Sequence, residues 1–256
     1  MKPAPARPDP PEIVAHRGDA EHFPENSLPG LEGAWRLGLR YAEFDVQLSA
    51  DGVPYVIHDA NLDRTTNAAG DLRLMMSGQL DGIDAGEPRR FGARHAGTRL
   101  PRLAAVVELM KQLPKARAFV EIKRASLVHH GREHCVERIL ATLAGVLRRC
   151  VVISFDLEAC RLARAACGRP VGWVMGSEFA AALPRLNALR PEFAFCDHRA
   201  LPADGPLPQG PWTWAAYEVT EARLARALYA RGVMLVESMA PAQLKAQLSG
   251  GEEQQA

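Results

Sequence analysis

The stretch Tyr41-Ala42-Glu43-Phe44-Asp45-Val46-Gln47-Leu48 alternates apolar with polar or aromatic side chains. Successive side chains on a β-strand point to opposite faces, so Ala42, Phe44, Val46 and Leu48 share one face and Tyr41, Glu43, Asp45 and Gln47 the other. The run Ala118-Phe119-Val120-Glu121-Ile122-Lys123 repeats the pattern, setting Ala118, Val120 and Ile122 against Phe119, Glu121 and Lys123. A covering helix needs the apolar face. Glu43, Asp45, Glu121 and Lys123 are therefore expected to point away from the helices, near the C-terminal strand ends where parallel barrels place their chemistry.

Working outward, eight short apolar or alternating runs recur: Glu12–Arg17, Tyr41–Leu48, Phe119–Lys123, Val151–Phe155, Val171–Met175, Glu192–Asp197, Trp212–Val219 and Val233–Glu237. Helical patterns follow many of them, at Ser27–Leu39, Arg132–Arg149, Leu157–Cys167, Phe179–Leu189 and Thr220–Arg231. Strands alternating with helices predict an α/β fold with a parallel sheet, and eight is the number that closes a (β/α)8 TIM barrel; a doubly wound open sheet is the alternative. Residues 12–241 read as one barrel domain, with residues 49–100 as a small insertion after the second strand. The insertion holds a further short run, Val53–His58, and a Gly/Asp-rich stretch; a helical pattern, Leu103–Leu113, comes after it. Residues 200–211 are mostly Pro, Gly and Leu, and no helix is expected there. The ends, 1–11 and 250–256, are expected to be flexible.

The 256 residues carry 31 Lys+Arg against 30 Asp+Glu, a net charge of +1, which argues against nonspecific binding to nucleic acid or an anionic membrane. A hydrophobic fraction of 47% excludes wholesale disorder. The five cysteines are odd in number and lack CxxC spacing, which favours a reducing compartment. The proline-rich stretch from Met1 to Pro11 lacks the apolar segment of a signal peptide, and no run is long enough to span a membrane. A cytoplasmic protein without stable membrane association is expected; no heptad pattern settles its oligomeric state.

Three carboxylates in one buried place need compensation. An all-oxygen set suits Mg²⁺ or Ca²⁺, whereas the alternative puts Glu43 and Asp45 on a solvated edge and pairs Glu121 with Lys123 or Arg124. His16-Arg17 ends the first run and His58-Asp59 ends the run after the second strand. Arginine presents a fork that fits phosphate oxygens, and histidine moves protons near neutrality. Two histidines, an arginine and a carboxylate-bound metal make a phosphodiesterase constellation. P-loop, dinucleotide, GxSxG and HExxH motifs are absent. Trp212 and Trp214 share a face expected to line the barrel mouth, one as wall and the other as core. Tyr217 and Glu218 are further candidate mouth residues.

These residues fall in an ordered series of short motifs: His16-Arg17-Gly18, Pro24-Glu25-Asn26-Ser27, Glu43-Phe44-Asp45-Val46, Asp51-Gly52, His58-Asp59, Leu62, Arg64-Thr65-Thr66, Gly70, Leu100-Pro101-Arg102-Leu103 and Val120-Glu121-Ile122-Lys123. The series resembles the glycerophosphodiester phosphodiesterase family, strongly over residues 12–123 and weakly to about 241. The resemblance implies a (β/α)8 barrel and metal-dependent hydrolysis of a small-molecule glycerophosphodiester to sn-glycerol 3-phosphate and an alcohol. It implies His16 and His58 as the acid/base pair, Glu43, Asp45 and Glu121 as ligands of Mg²⁺ or Ca²⁺, and Arg17 and Lys123 as phosphate contacts. Asn26 is implied to shape the loop near the metal. Which histidine is the acid, and whether water or the glycerol hydroxyl attacks, stay open. Where the family has Trp-Thr-Val-Asn at the seventh strand, this chain has Tyr217-Glu218-Val219-Thr220, with Trp214 as a competing placement. The family's Asp-Gly and Thr-Asp at the eighth strand are replaced by Met234-Leu235 and Ser238-Met239, so the alcohol side of the pocket departs from the pattern.

Overall fold

The computed structural model describes residues 10–250; the remaining residues at both ends, which carry most of the segments expected to be flexible, lie outside the described residues. The strands are β1 (Glu12–Ala15), β2 (Tyr41–Leu48), β3 (Pro54–Val56), β4 (Arg117–Ile122), β5 (Cys150–Ser154), β6 (Val171–Val174), β7 (Phe193–Asp197), β8 (Thr213–Tyr217) and β9 (Val233–Ser238). All except β3 are parallel neighbours in the order β1-β9-β8-β7-β6-β5-β4-β2, and the β1–β2 pairing closes the ring into a barrel. β3 pairs antiparallel with β2 outside that ring.

The helices are α1 (Leu28–Arg36), α2 (Ser77–Leu80), α3 (Pro88–Phe91), α4 (Leu103–Gln112), α5 (Arg124–His130), α6 (Arg132–Leu143), α7 (Leu157–Cys167), α8 (Phe179–Leu189), α9 (Ala222–Ala230) and α10 (Pro241–Gly250). Their ends follow local chemistry. Ser27 caps α1 by accepting the Gly30 N–H at 3.2 Å, with Pro29 in the first turn, where its missing N–H costs nothing. Asp156 caps α7 by accepting from Ala159, and Gly168 ends it in a left-handed conformation that glycine adopts without strain.

Two apolar layers result from the strand alternation. Ala42, Phe44, Val46 and Leu48 face outward and pack in one core with Leu31 and Trp35 of α1 and Leu103, Val106 and Met110 of α4. Inside the barrel, Val14, Tyr41, Phe119, Ile153, Val174, Phe195, Ala215 and Leu235 form a separate plug. Phe119 is fully buried at its centre, with ring centroids of Tyr41, Phe193 and Phe195 at 5.0, 5.1 and 5.0 Å. The plug closes the lower barrel, so the polar residues two positions further along β2 and β4 form the floor of the open C-terminal end. Between β2 and β4 the chain adds a third small core, built on Tyr55, Ile57, Leu62, Leu72 and Leu80.

The structure departs from the sequence reading at several points. Trp212 and Trp214 do not line the mouth: both are buried in the outer core, where the Trp214 ring meets Phe179 of α8 at 5.7 Å and Trp212 at 5.9 Å. Alternation on β8 turns Ala215 and Tyr217 inward, which sends Trp214 outward. As the sequence indicates, no α-helix stands between β7 and β8; the two indoles, with Leu201 and Leu207 of the proline-rich stretch, cover the outer face a helix would cover. Helices α5 and α10 were not expected. α10 buries Leu244 and Leu248 next to β1, β9 and α9, so ordered structure continues past residue 241.

Candidate active site

Parallel pairing of β2 with β4 sets Asp45 opposite Glu121 and Glu43 opposite Phe119. Glu43, Asp45 and Glu121 each offer one carboxylate oxygen, and these oxygens lie within 4.8 Å of one another. The three residues are 2%, 1% and 8% exposed, and Glu43 Oε1 has no hydrogen-bond partner. Three hard oxygen donors with an unpaired buried oxygen fit a divalent cation of the Mg²⁺ or Ca²⁺ type. A second acidic group, Asp19, Glu21 and His22, is exposed at Glu21 and His22, and His22 Nδ1 is already engaged by Asp19 at 3.1 Å.

Two cations offset the carboxylates. Lys123 Nζ lies 3.0 Å from Asp45 Oδ1 and 2.8 Å from Glu121 Oε1. Arg17 adopts a left-handed backbone conformation, φ 58°; its N–H donates to Glu43 Oε2 at 3.1 Å and its Nε lies 3.4 Å from Asp45 Oδ2. The result is an uneven distribution of protons. Burial opposes ionisation of Asp45, but Lys123 and Arg17 outweigh it and hold Asp45 well below the usual carboxylate range. Burial, reinforced by Asp45, pushes Glu43 far up, and burial takes Glu121 up to about 7 although Lys123 pulls the other way. The same carboxylates hold Lys123 protonated against the cost of its burial.

His16 leaves β1 with Nε2 3.9 Å from Glu43 Oε2 and Nδ1 3.8 Å from Glu218 Oε1. Burial and the Arg17 charge lower it to about 3, so it is neutral at physiological pH and available as a proton acceptor. His58 follows β3, and its backbone carbonyl accepts from Gln47 Nε2 at 2.9 Å. Its Nδ1 lies 2.6 Å from Asp59 Oδ1, an arrangement that fixes the ring and leaves Nε2 as the outward nitrogen. Burial lowers its pKa as well, with Asp45 opposing.

A charged chain ties these parts to the neighbouring loop. Arg64 donates to Asp59 Oδ2 at 2.6 Å and grips Glu25 with two bonds, at 2.8 and 2.7 Å. Glu25 in turn accepts from Arg17 at 3.1 Å. Beside it, Asn26 donates to Asp45 Oδ2 at 2.8 Å while its own oxygen accepts the Asp45 N–H at 3.0 Å. Asn26 has φ 57°, a conformation asparagine tolerates better than most residues. The Pro24-Glu25-Asn26 motif is therefore a bracket: Glu25 holds both arginines and Asn26 orients Asp45.

The seven residues anticipated from sequence come together. His16, Arg17, Glu43, His58, Glu121 and Lys123 line one cavity of about 130 Å³, with Asp45 in the carboxylate group at its floor. Tyr217 and Glu218 line it as expected. Glu237 lines it too and was not anticipated, although Leu235 and Glu237 share a strand face and the alternation of β9 carried that signal. Burial, with Glu121 and Asp45 adding to it, raises Glu237 well above the usual range. A larger groove of about 680 Å³ lies at the opposite end of the barrel, between Trp35, Leu113 and Arg149, and contains no carboxylate or histidine.

A closed parallel barrel whose carboxylates, histidines and cations gather at the strand C-terminal ends defines the class of (β/α)8 barrel enzymes. The chain belongs to the glycerophosphoryl diester phosphodiesterase family, whose model matches residues 16–190. A glycerophosphodiester phosphodiesterase of Caldanaerobacter subterraneus is 38% identical over 121 residues, 47% of this chain and 49% of that one. The chain thus matches about half the length of such curated relatives. The glycerophosphodiester phosphodiesterase structure from Agrobacterium tumefaciens superposes with a TM-score of 0.71 at 25% identity, covering 92% of this chain and 99% of that one. An Oleispira antarctica phosphodiesterase, solved in complex with the product sn-glycerol-3-phosphate, shares the fold with a TM-score of 0.81 at 24% identity, covering 94% and 97%.

Proposed function

We propose that this protein hydrolyses glycerophosphodiesters to sn-glycerol 3-phosphate and an alcohol, with His16 and His58 as the acid/base pair. The observation that carries the reading is one cavity that brings two histidines, two phosphate-directed cations and three buried carboxylates within reach of a single small substrate. Arg17 and Lys123 attract the phosphodiester and hold its oxygens, and their own carboxylate partners keep them oriented. One histidine takes the proton from the attacking hydroxyl, either water, which gives sn-glycerol 3-phosphate directly, or the glycerol hydroxyl of the substrate, which gives a cyclic phosphate that a water molecule then opens. The other returns a proton to the departing alkoxide, so that proton and charge balance over the cycle. Asp59 and Arg64 hold the His58 ring for that transfer. Glu43, Asp45 and Glu121 would hold Mg²⁺ or Ca²⁺, which when bound supplies Lewis-acid stabilisation of charge on the phosphate oxygens.

Five free cysteines, four of them buried, suit a reducing, cytoplasmic setting. Among the described residues no helix is long and apolar enough to cross a membrane, and the proposed substrate is a small water-soluble diester. The test is release of sn-glycerol 3-phosphate from glycerophosphocholine with Mg²⁺ or Ca²⁺, repeated in excess EDTA. Metal-dependent release supports the reading; folded protein that releases none with either ion overturns it. A substrate lacking the 2-hydroxyl separates the two attack routes, because undiminished turnover excludes attack by glycerol.

A further inference from the structure

We propose that Glu218 and Glu237 form a recognition wall for a primary ammonium group on the alcohol half of the substrate, an inference that rests on the phosphodiesterase reading above. The cavity is chemically polarised. One side carries Arg17 and Lys123, which suit the phosphate. The other is built by β5, β6, β8 and β9 and presents Ile153, Phe155, Val174, Tyr217, Glu218 and Glu237, with no cation among them.

Glu237 is 3% exposed, and its Oε1 has no hydrogen-bond partner. A buried carboxyl oxygen without a donor is costly, and a ligand that supplies the donor recovers that cost. Glu218 stands beside it at the end of β8, where the Val219 N–H donates to the Glu237 carbonyl at 3.0 Å. Glu218 is held at φ 64°, a left-handed conformation unusual for a glutamate and of the kind that clusters at ligand sites. Its Oε1 lies 3.8 Å from His16 Nδ1, which puts the wall next to the acid/base machinery. The charge of Arg199 bears on Glu218 through space, but that guanidinium is engaged by both oxygens of Asp197, at 2.9 and 2.7 Å.

The chemistry selects the ligand. Glycerol is uncharged, so a cation on a glycerophosphodiester sits on the alcohol half. A primary ammonium carries three N–H donors, enough to serve both carboxyl groups at once, and the ring of Tyr217 adds an aromatic face; the Phe155 ring is already approached by Lys123 Nζ at 6.0 Å and the Arg124 guanidinium at 5.6 Å. A trimethylammonium keeps the charge but has no donor, and a neutral polyol has donors but no charge. The expected order of preference is primary ammonium, then trimethylammonium, then neutral polyol.

The test separates the wall from the reaction. Calorimetry on the full chain with Mg²⁺ compares O-phosphoethanolamine with n-propyl phosphate, a close match in size in which methyl replaces ammonium. The wall predicts roughly tenfold or tighter binding of phosphoethanolamine, the worth of one charge-assisted hydrogen bond. Glu218→Gln and Glu237→Gln should each shrink that ratio several-fold, and Glu237→Asp should restore part of it. Equal affinity in the wild-type protein overturns the proposal even where a variant fails to fold. The second readout is kcat/KM for glycerophosphoethanolamine against glycerophosphoglycerol. Discrimination between the two phosphates with neither diester hydrolysed keeps the wall and removes the phosphodiesterase reading. Hydrolysis of both diesters at equal kcat/KM, with equal phosphate affinities, removes the wall and keeps the reading.

Discussion

Asn26→Ala isolates the bracket between the β1 loop and Asp45. Asn26 is 3% exposed and makes a reciprocal pair with Asp45: its amide donates to the carboxylate at 2.8 Å, and its oxygen accepts the Asp45 N–H at 3.0 Å. Removing a hydrogen bond to a buried carboxylate costs about 1.5–3 kcal/mol, and leaving a buried N–H unpaired costs about 1–3 kcal/mol more. Alanine at φ 57° adds about 1 kcal/mol of left-handed strain. The lower ends of those ranges already amount to about 3.5 kcal/mol, which for a chain of this size lowers Tm by roughly 7–14 °C. The pair also helps to hold Asp45 ionised, so divalent-ion affinity should fall about 10–100-fold, as is usual when a metal ligand loses its supporting hydrogen bond. Scanning calorimetry in EDTA reads the first effect and ion titration the second. Asn26→Gly should melt above Asn26→Ala, because glycine adopts the positive φ without strain. An Asn26→Ala protein melting within about 2 °C of wild type, with unchanged ion affinity, would refute the bracket.

His16→Ala and His58→Ala should each lower kcat by about 10²–10⁴ while the fold persists; near-normal turnover in either variant removes that histidine from proton transfer. Glu43→Gln should weaken divalent-ion binding, and an unchanged ion titration would remove Glu43 from the ligand set. Because burial holds a proton on Glu121 up to about 7 and pushes Glu43 well above the usual carboxylate range, an arriving ion displaces protons from both, and ion affinity should fall steadily as pH drops from 8 to 6; a flat profile contradicts this. The raised pKa of Glu121 makes a metal-free stability contribution that is complete below the unfolded value of 4.5 and lost as pH rises through about 7, so in EDTA Glu121 lowers Tm at pH 8 relative to pH 6. Phe119→Ala opens a cavity in the barrel plug and should cost about 3–5 kcal/mol in denaturant unfolding, whereas a loss below about 1 kcal/mol would mean that the neighbouring rings collapse into the space.

The parts of the site readable from sequence share a property: each is written in local periodicity or in a short motif. Alternation in Tyr41–Leu48 and Phe119–Lys123 placed Glu43, Asp45, Glu121 and Lys123 on one face, because strand side chains alternate whatever the sheet becomes. His16-Arg17 and His58-Asp59 stood out as strand-end pairs. The same alternation holds in β8 and β9, yet by itself it does not show that Trp214 faces the outer core or that Glu237 faces the cavity. Choosing which face of a strand is the inside requires knowing what covers the outside. At β8 no helix covers the outer face, and bulky indoles take that place.

What the sequence determined by itself was the strand faces, the barrel and the set of ionisable residues that meet at its mouth. Tertiary structure alone decided how those charges are shared. Arg64, from the segment after β3, reaches Glu25 in the loop after β1 and Asp59 beside His58. Asn26 reaches Asp45, and Glu218 and Glu237 become neighbours only through the pairing of adjacent strand ends. Periodicity is carried by consecutive residues and is legible along the chain. Proton distribution depends on burial and on charges a few ångströms apart in space, contributed by segments far apart in sequence, so it is defined only once the barrel has closed.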